Sequence, residues 1–286
     1  MEQPDIFDRT ARRRRRDRAA RRFAEHAFLV DHIVEELADR LASVTREFSR
    51  VLILGSHDGR YANVFAAPGR TIVSADPGFA FAQESGGIQC DEDRLPFADS
   101  SFDCVIAIGG LDGVNDLPGA LVLVRRILRP DGLFMGAFAA AGSLSWLKGA
   151  ALAADSATGP VAARIHPQID VRSAGDLLSR AGFTLPVADG DHIEVGYPDP
   201  IRLIDDLRGM GATNMLVSRR PIARGKAWLS ALFERFHADA RNDGRLSESF
   251  EIVYLTAWSP APDQPKPARR GSGTTSLSEA LRPPKS

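Results

Sequence analysis

Between Val51 and Ala140 short apolar runs alternate with amphipathic stretches: "VLILG", "RYANVFA", "TIVSADP", "GIQC", "FDCVIAIGG", "LPGALVLVRRIL" and "GLFMGAFAA" follow one another. Strands alternating with helices in this way predict parallel β-α-β units, with helices on both faces of one sheet. Upstream, Arg9 to Ala42 is helix-permissive, and Phe28, Leu29, Ile33, Leu37 and Leu41 recur so as to place an apolar stripe on one side. This helix is expected to dock on the main body. Beyond Gly142 the pattern predicts a helix over "SLSWLKGAALAA", a second over "SAGDLLSRAGF" with Ser173 as N-cap and Gly182 at its end, and two strand pieces, "TLPVADG" and "HIEVGY". A helix "PIRLIDDLRGMG" opened by Pro200, a helix "GKAWLSALFERFHADA" and a strand "SFEIVYLTAW" complete the folded part. From Ser259 onward Pro, Gly, Ser and charge dominate, which predicts a disordered tail.

The expected fold class is therefore α/β, a doubly wound Rossmann-like sheet with an N-terminal helix and a C-terminal α+β decoration. The expected organisation is a basic helical arm over 1–46, a core over 47–142, a decorated C-terminal part over 143–258 and a tail over 259–286. A chain of 286 residues is long enough to bury this as one decorated domain. The formal net charge of -1 argues against a general nucleic-acid binder. Charge is unevenly placed, however. The stretch "ARRRRRDRAARRF" concentrates arginine near the start, which reads first as a solvated helix face and second as an arm for an acidic partner or peripheral contact with an anionic membrane. Glu2, Asp5, Asp8 and Asp17 interrupt it, against the acid-poor habit of mitochondrial presequences. Cys90 and Cys104 lie in or beside apolar runs and form no disulfide framework or zinc spacing. With no membrane-length apolar run and no signal-peptide pattern, a monomer in a reducing, cytoplasmic setting is expected.

Candidate chemistry centres on the turn after the first strand run. Glycines there permit a tight turn and a close approach of backbone to a ribose or phosphate. Gly55 and Gly59 are present, with Ser56, His57 and Asp58 between them. Asp76 ends the second run, about 20 residues on, where a carboxylate accepts from ribose hydroxyls in dinucleotide-type sites. Asp91 ends the third run at the same sheet edge. Both also suit helix caps or turns.

The stretch "CDEDRLPFADSSFDCVIAIGGLDGVNDLPGALVLVRRILRPDGLF" resembles the core of class I S-adenosylmethionine-dependent methyltransferases. "IFDRTARRRRRDRAARRF", "DLRGMGATN" and "ARRGSGTTSLSEA" narrow the resemblance to the respiratory complex I assembly factor of methyltransferase fold and its bacterial relatives. The malonyl-carrier-protein methyltransferases of biotin synthesis share the core and something like "GATN". The resemblance implies S-adenosylmethionine held by the first turn (Gly55, Ser56, His57, Gly59), Asp76 on the ribose beside Pro77, Asp91 with the backbone of Glu92 at the adenine edge, and Ile108 at the end of the fourth strand. It also implies a protein client, a complex I subunit modified by methylation or arginine hydroxylation or else chaperoned, and a mitochondrial matrix location in a eukaryote.

The chain departs from that pattern at three places. Ile53 stands where an acid is usual, and His57 replaces the central glycine. "LDGVNDLP", with Asp112 and Gly113, lacks the usual aromatic pair. His57 leaves three readings: an acid or base near neutral pH, a solvent-facing side chain, or a degenerate pocket whose owner acts by binding. Carboxyl methylation of a carrier-bound acyl group is a further alternative. Methyl transfer needs mainly positioning of an activated donor, so no catalytic residue is named. His192, Glu194 and His237 together would make a two-histidine, one-carboxylate iron set, although alternation on an exposed strand explains the first two equally. Arg125, Arg126 and Arg129 read as an exposed helix face.

Overall fold

The computed structural model describes residues 4–219 and 225–264. Its strands are β1 (Arg50–Leu54), β2 (Thr71–Asp76), β3 (Ile88–Gln89), β4 (Phe102–Ile108), β5 (Leu128–Ala139), β6 (Thr184–Tyr197) and β7 (Leu246–Trp258). They form one sheet in the order β3-β2-β1-β4-β5-β7-β6. All pairs up to β5 are parallel, and β7 runs antiparallel to both of its neighbours. Strand order reverses between β1 and β4, so their carboxyl ends open the crevice where sheets of this kind place a ligand.

The central strands read as unbroken apolar runs because both of their faces are covered. Val51 and Ile53 enter the layer containing α2 (Phe28–Ala42), whereas Leu52 and Leu54 enter the layer containing α5 (Leu117–Ile127). In α5, Leu117, Ala120, Leu121, Val124 and Ile127 are buried at helical spacing, and Asp116 caps the start by accepting from the Gly119 amide. Cys90 and Cys104 are free thiols wedged into these layers. Burial pushes the Cys90 thiol up to about 12 and raises that of Cys104 as well, which leaves both unreactive. Among the described residues no helix is long and apolar enough to cross a membrane.

Several expected elements are redrawn. The helix foreseen over 9–42 is two, α1 (Arg9–Ala20) and α2, parted by a 3-10 turn over Phe23–Glu25. Phe23 and His26 turn fully inward at that break. The helix after "RYA" is a single turn, α3 (Tyr61–Val64), and a short α4 (Phe79–Glu84) follows β2. Helices α6 (Ser145–Thr158), α7 (Val171–Arg180), α8 (Pro200–Gly209) and α9 (Lys226–Asp239) appear as expected. However, the N-cap of α7 is Asp170, which accepts from both the Ser173 amide and its hydroxyl. The two pieces "TLPVADG" and "HIEVGY" are one strand, because pairing with β7 continues through Asp189, Gly190 and Asp191. Arg125 is only partly exposed; its Nε donates to the Ala181 carbonyl. The expected disorder does not begin at Ser259: that residue is buried, and the Gln264 amide donates to Asp131 and to the Ser259 carbonyl. The remainder of the expected tail, with the 268–280 motif, lies outside the described residues.

The "DLRGMGATN" segment acts as a seam between the arm and the body. Asp206 Oδ1 sits 2.7 Å from Nδ1 of the buried His26, and Gly209 lies directly beneath that imidazole. Helix α8 then ends in a Schellman motif, with the Ala212 amide bonded to the Leu207 carbonyl, the Gly211 amide to that of Arg208, and Gly211 at φ +74°. The following residues carry the chain back under the N-terminus, where the Asp8 amide donates to the Met215 carbonyl at 2.8 Å. A methyl group on Gly209 would overlap the His26 ring, which its bond to Asp206 prevents from moving aside. In an open helix Gly→Ala stabilises by ~1 kcal/mol. Here Gly209→Ala is expected to destabilise instead, by ~1–3 kcal/mol, seen as a lower urea midpoint; an unchanged or raised midpoint would show that the seam carries no packing constraint.

Candidate functional site

The first described residues are pinned across the carboxyl edge of the sheet. Asn115 Oδ1 accepts from the Ile6 and Phe7 amides, and its amide group donates to the Phe7 carbonyl. Asp8 caps α1 by accepting from the Ala11 amide and pairs with Arg219. Helical periodicity then puts Arg9, Arg12, Arg13 and Arg16 on one face, the i, i+3, i+4, i+7 pattern ordinarily used by a core-facing apolar stripe. Opposite them, the ends of β2 and β3 present Asp76, Asp91, Glu92 and Asp93.

The pairings are close and mostly bidentate. Arg16 donates from Nε to Asp76 Oδ1 at 2.7 Å and from Nη2 to Oδ2 at 2.6 Å. Arg12 reaches both oxygens of Glu92, at 2.6 and 2.8 Å, and the Gly110 carbonyl at 2.9 Å. Arg13 donates to Asp91 at 2.7 Å, and Arg9 holds both oxygens of Asp93. Burial works to raise the Asp76 carboxyl, but Arg16 and the backbone amides outweigh it and hold the group below its ordinary range. Burial likewise opposes the Arg12 charge, yet Glu92 keeps that guanidinium above its ordinary value. Arg12 and Arg16 are among the buried residues. The reading of this run as a solvated face therefore fails for Arg9, Arg12 and Arg16 and holds in part for Arg13, which is half-exposed while it pairs with Asp91, leaving Arg14, Arg18, Arg21 and Arg22 exposed.

The first turn is filled from the same side. His57 adopts φ +51°, the left-handed conformation that costs a non-glycine residue on the order of 1 kcal/mol. Its ring is 2% exposed and stacks on Phe23 at 4.5 Å, with the edges of Tyr61 and Phe81 around it. Burial, then the nearby Arg16 charge, lower its pKa to about 3. His57 is thus neither solvent-facing nor available as an acid or base near neutral pH. The flanking glycines serve chain packing: a Cβ on Gly55 would overlap the Ile108 carbonyl, and one on Gly59 would lie 2.8 Å from Ser85 Cα. Ser56 Oγ donates to Ser85 Oγ, and the Pro77 carbonyl accepts from Gln89.

The nine residues expected at a cofactor do converge on this edge, but the arm already meets the acids among them. Asp76 accepts from Arg16 twice, from the His57 amide at 3.1 Å and from the Gly78 amide at 2.8 Å. Its roughly four lone-pair directions are filled, so none remains for a ribose hydroxyl. At the expected adenine edge Arg13 engages the Asp91 carboxylate, while Arg12 engages the Glu92 side chain and not the backbone expected to read the base. The residues present do not fit S-adenosylmethionine in this arrangement. Nor is an iron set assembled: His192 bonds Glu251 and approaches Glu194 on the outer face, while His237 packs against Phe233 and Phe236. Among the described residues no group of three His, Cys, Asp or Glu could hold a metal.

Beside the filled crevice lies a cavity of about 510 Å³ at the ends of β4 and β5. Leu29, Leu147, Ile165, Leu207, Trp228 and Phe250 form its apolar wall. The guanidiniums on its boundary are matched by carboxylates, Arg12 by Glu92, Arg16 by Asp76, Arg164 by Asp155 and Arg219 by Asp8, apart from Arg15, whose Nε donates to the Thr213 hydroxyl. Burial, with the Arg219 and Arg18 charges, lowers the Arg15 pKa. Asp112 is the only carboxylate lining the cavity among the described residues, and burial raises its pKa to about 6 against the pull of Arg12. His166 Nε2 accepts from the Met215 amide, and burial lowers that imidazole to about 4. Neither the cavity nor the arm's role was foreseen from the sequence. The usable signal was the helical spacing of the arginines against the acids at the ends of β2 and β3.

Because the folded state keeps His57 neutral while the unfolded chain protonates near pH 6.5, the unfolded state binds more protons between pH 6.5 and about 3. This contribution is present in full above pH 6.5 and falls by up to ~1.4 kcal/mol per pH unit below it. His57→Asn, which tolerates the left-handed turn and does not titrate, should flatten the stability profile between pH 6.5 and 4 in denaturant titrations. An unchanged slope would place the imidazole in a solvated site.

Comparison with known proteins agrees with this geometry at the level of fold. A methyltransferase domain profile matches residues 52–136. The structure of the YcgJ protein from Bacillus subtilis superposes with a TM-score of 0.56 at 15% identity, covering 80% of this chain and 99% of that one. A malonyl-[acyl-carrier protein] O-methyltransferase from Gallionella capsiferriformans is 29% identical, over 90% of this chain and 93% of its own length. The human mitochondrial arginine-hydroxylase NDUFAF5 is 32% identical, over 96% of this chain and 83% of its own length. Near full-length identity at this level, on a sheet of class I methyltransferase order, shows that the chain belongs to the NDUFAF5 family within the methyltransferase-fold proteins.

Proposed function

We propose that this protein is an assembly factor of the complex I type, which engages a segment of a protein client, a respiratory complex I subunit, in the cavity at the ends of β4 and β5, and modifies or chaperones it there. The observation that supports this reading is the cavity itself. It has the size of a side-chain or small-ligand site, one apolar wall and, among the described residues, a single carboxylate, Asp112, with Arg15 as the guanidinium that no described carboxylate pairs. The relatives named arginine-hydroxylase suggest an arginine side chain as the client group. Asp112 is the acceptor suited to a guanidinium, and Arg15 suits a carboxylate or carbonyl of the same segment. The S-adenosylmethionine implied by the fold finds its acids engaged by the arm, so no methyl-transfer step is derived, and the residues described here hold and orient the client.

Desolvation makes the Asp112 charge available only above about pH 6. Binding of a guanidinium should therefore be strong at pH 7.5 and fall as the pH drops through 6, since protonation removes the acceptor charge. The check is fluorescence anisotropy with arginine-containing peptides from complex I subunits, alongside copies bearing citrulline. Asp112→Asn and the citrulline exchange are each expected to weaken binding about tenfold or more, in line with a charge-assisted pair worth ~1.5–3 kcal/mol. Binding that ignores both changes would remove Asp112 from the reading, and no binding by any subunit peptide would count against the client.

A further inference from the structure

We infer that α1 is the permanent occupant of the nucleotide crevice: Arg16 and Arg13 hold the carboxylates of Asp76 and Asp91 that an adenosine cofactor would need, Arg12 lies with them on the Glu92 carboxylate, and the protein does not bind S-adenosylmethionine. This concerns the crevice alone and holds whether or not a client enters the neighbouring cavity.

The crevice is shaped for these arginines as well as charged for them. A Cβ on Gly78 would lie 2.8 Å from Arg16 Cβ, one on Gly113 would overlap Met215 Cε and lie 3.3 Å from Arg12 Nε, and one on Gly110 would overlap the Glu92 carboxylate that Arg12 holds. Gly113 stands in the segment where the resembling enzymes have an aromatic pair, and a large ring there would collide with Arg12. The second departure, His57, fits the arm in the same way, since its ring stacks on Phe23 in the link between α1 and α2. Arg16 also lies over the Phe81 ring at 5.1 Å, and the Asp17 carboxylate accepts from the Ala80 amide, so α1 is bonded to α4 beyond its ion pairs. Two departures from a cofactor-binding pattern thus each make room for, or contact with, the same segment.

Thermodynamics points the same way. A carboxylate as buried as Asp76 is tolerated only when paired, and removing one partner of a buried pair strongly destabilises the fold. An adenosyl ligand would have to expel Arg16, leave the buried Asp76 charge without its guanidinium, and replace the charge-assisted pair with ribose hydroxyl bonds of lesser strength.

The test uses the full chain. Isothermal titration with S-adenosylmethionine and with S-adenosylhomocysteine is expected to give no saturable heat up to about 1 mM, a weak-binding limit near 4 kcal/mol. Hydrogen exchange should show the amides of α1 protected like those of β1 and unchanged by either probe. Arg16→Met should lower Tm by roughly 6–20 °C, and the double variant Arg16→Met, Asp76→Leu should recover most of that loss. Micromolar binding by the natural chain would overturn the inference, as would rapid exchange of α1 or an Arg16→Met variant that binds cofactor without loss of Tm.

Discussion

The constraint on which this structure depends is the need to neutralise a row of carboxylates at the carboxyl edge of the sheet. Asp76, Asp91 and Glu92 are buried almost completely, and an unpaired charge in such a place would cost several kcal/mol or force the group to protonate. The chain meets that demand with its own arginines, at 2.6 to 2.7 Å for the closest contact of each of these three acids. Because the pairs bridge 60 to 80 residues of sequence, they also fix where the N-terminal helix lies. The inward turn of Phe23 and His26, and the bond from His26 to Asp206, follow from that placement. Surface ion pairs are weak determinants of structure; Arg12–Glu92 and Arg16–Asp76 differ because both partners are buried, whereas Arg13 is half-exposed over a buried Asp91.

The sheet was legible in the sequence because its information is local. Runs such as "VLIL" and "CVIAI" are continuous and apolar, and between turn residues a run of that length suits a strand covered on both faces. Caps were less legible by a turn or less, as at α7, where Asp170 and Ser173 both lie in reach of the first amides and the aspartate takes the Ncap place. The arm was misread for a different reason. A stripe of arginine at helical spacing looks solvated unless one knows that four acids, 60 to 84 residues downstream, gather at one edge. That knowledge comes only from the register of β2 and β3 in the sheet. His57 is a similar case, since nothing in the turn itself announces a phenylalanine stacked from 34 positions upstream.

The candidate site was half legible for the same reason. The residues Gly55, Gly59, Asp76 and Asp91 were found by their positions after strands, and the structure does bring them to one edge. What position alone does not supply is the partner of each. Glycine after the first strand is compatible with a bound phosphate or ribose, and it is equally compatible with a carbonyl of β4 pressed against the Cα, which is what Gly55 meets. Retention of the glycine pair therefore carries no information about a ligand in this chain. The same holds for "DLRGMGATN", where Asp206 and Gly209 meet the buried His26, Gly211 and Ala212 end the helix, the Thr213 hydroxyl accepts from Arg15 and the Asn214 side-chain amide donates to the Ala163 carbonyl.

A fold built around a nucleotide site has a structural problem when the nucleotide is not used, because the acids that read it are part of the sheet's edge and cannot move to solvent. Substituting them with apolar residues is one solution. Covering them with a segment whose charges and spacing match is another, and it leaves the sheet, the first turn and the acids intact. In this protein the second solution also shapes the adjacent space: Arg12 and Arg16 form part of the wall of the 510 Å³ cavity while their charges are spent on Glu92 and Asp76. Among the described residues, the electrostatic character of that cavity is then left to Asp112 and Arg15, which form no ion pair there. Filling the crevice and shaping the cavity beside it are thus consequences of the same two side chains, Arg12 and Arg16.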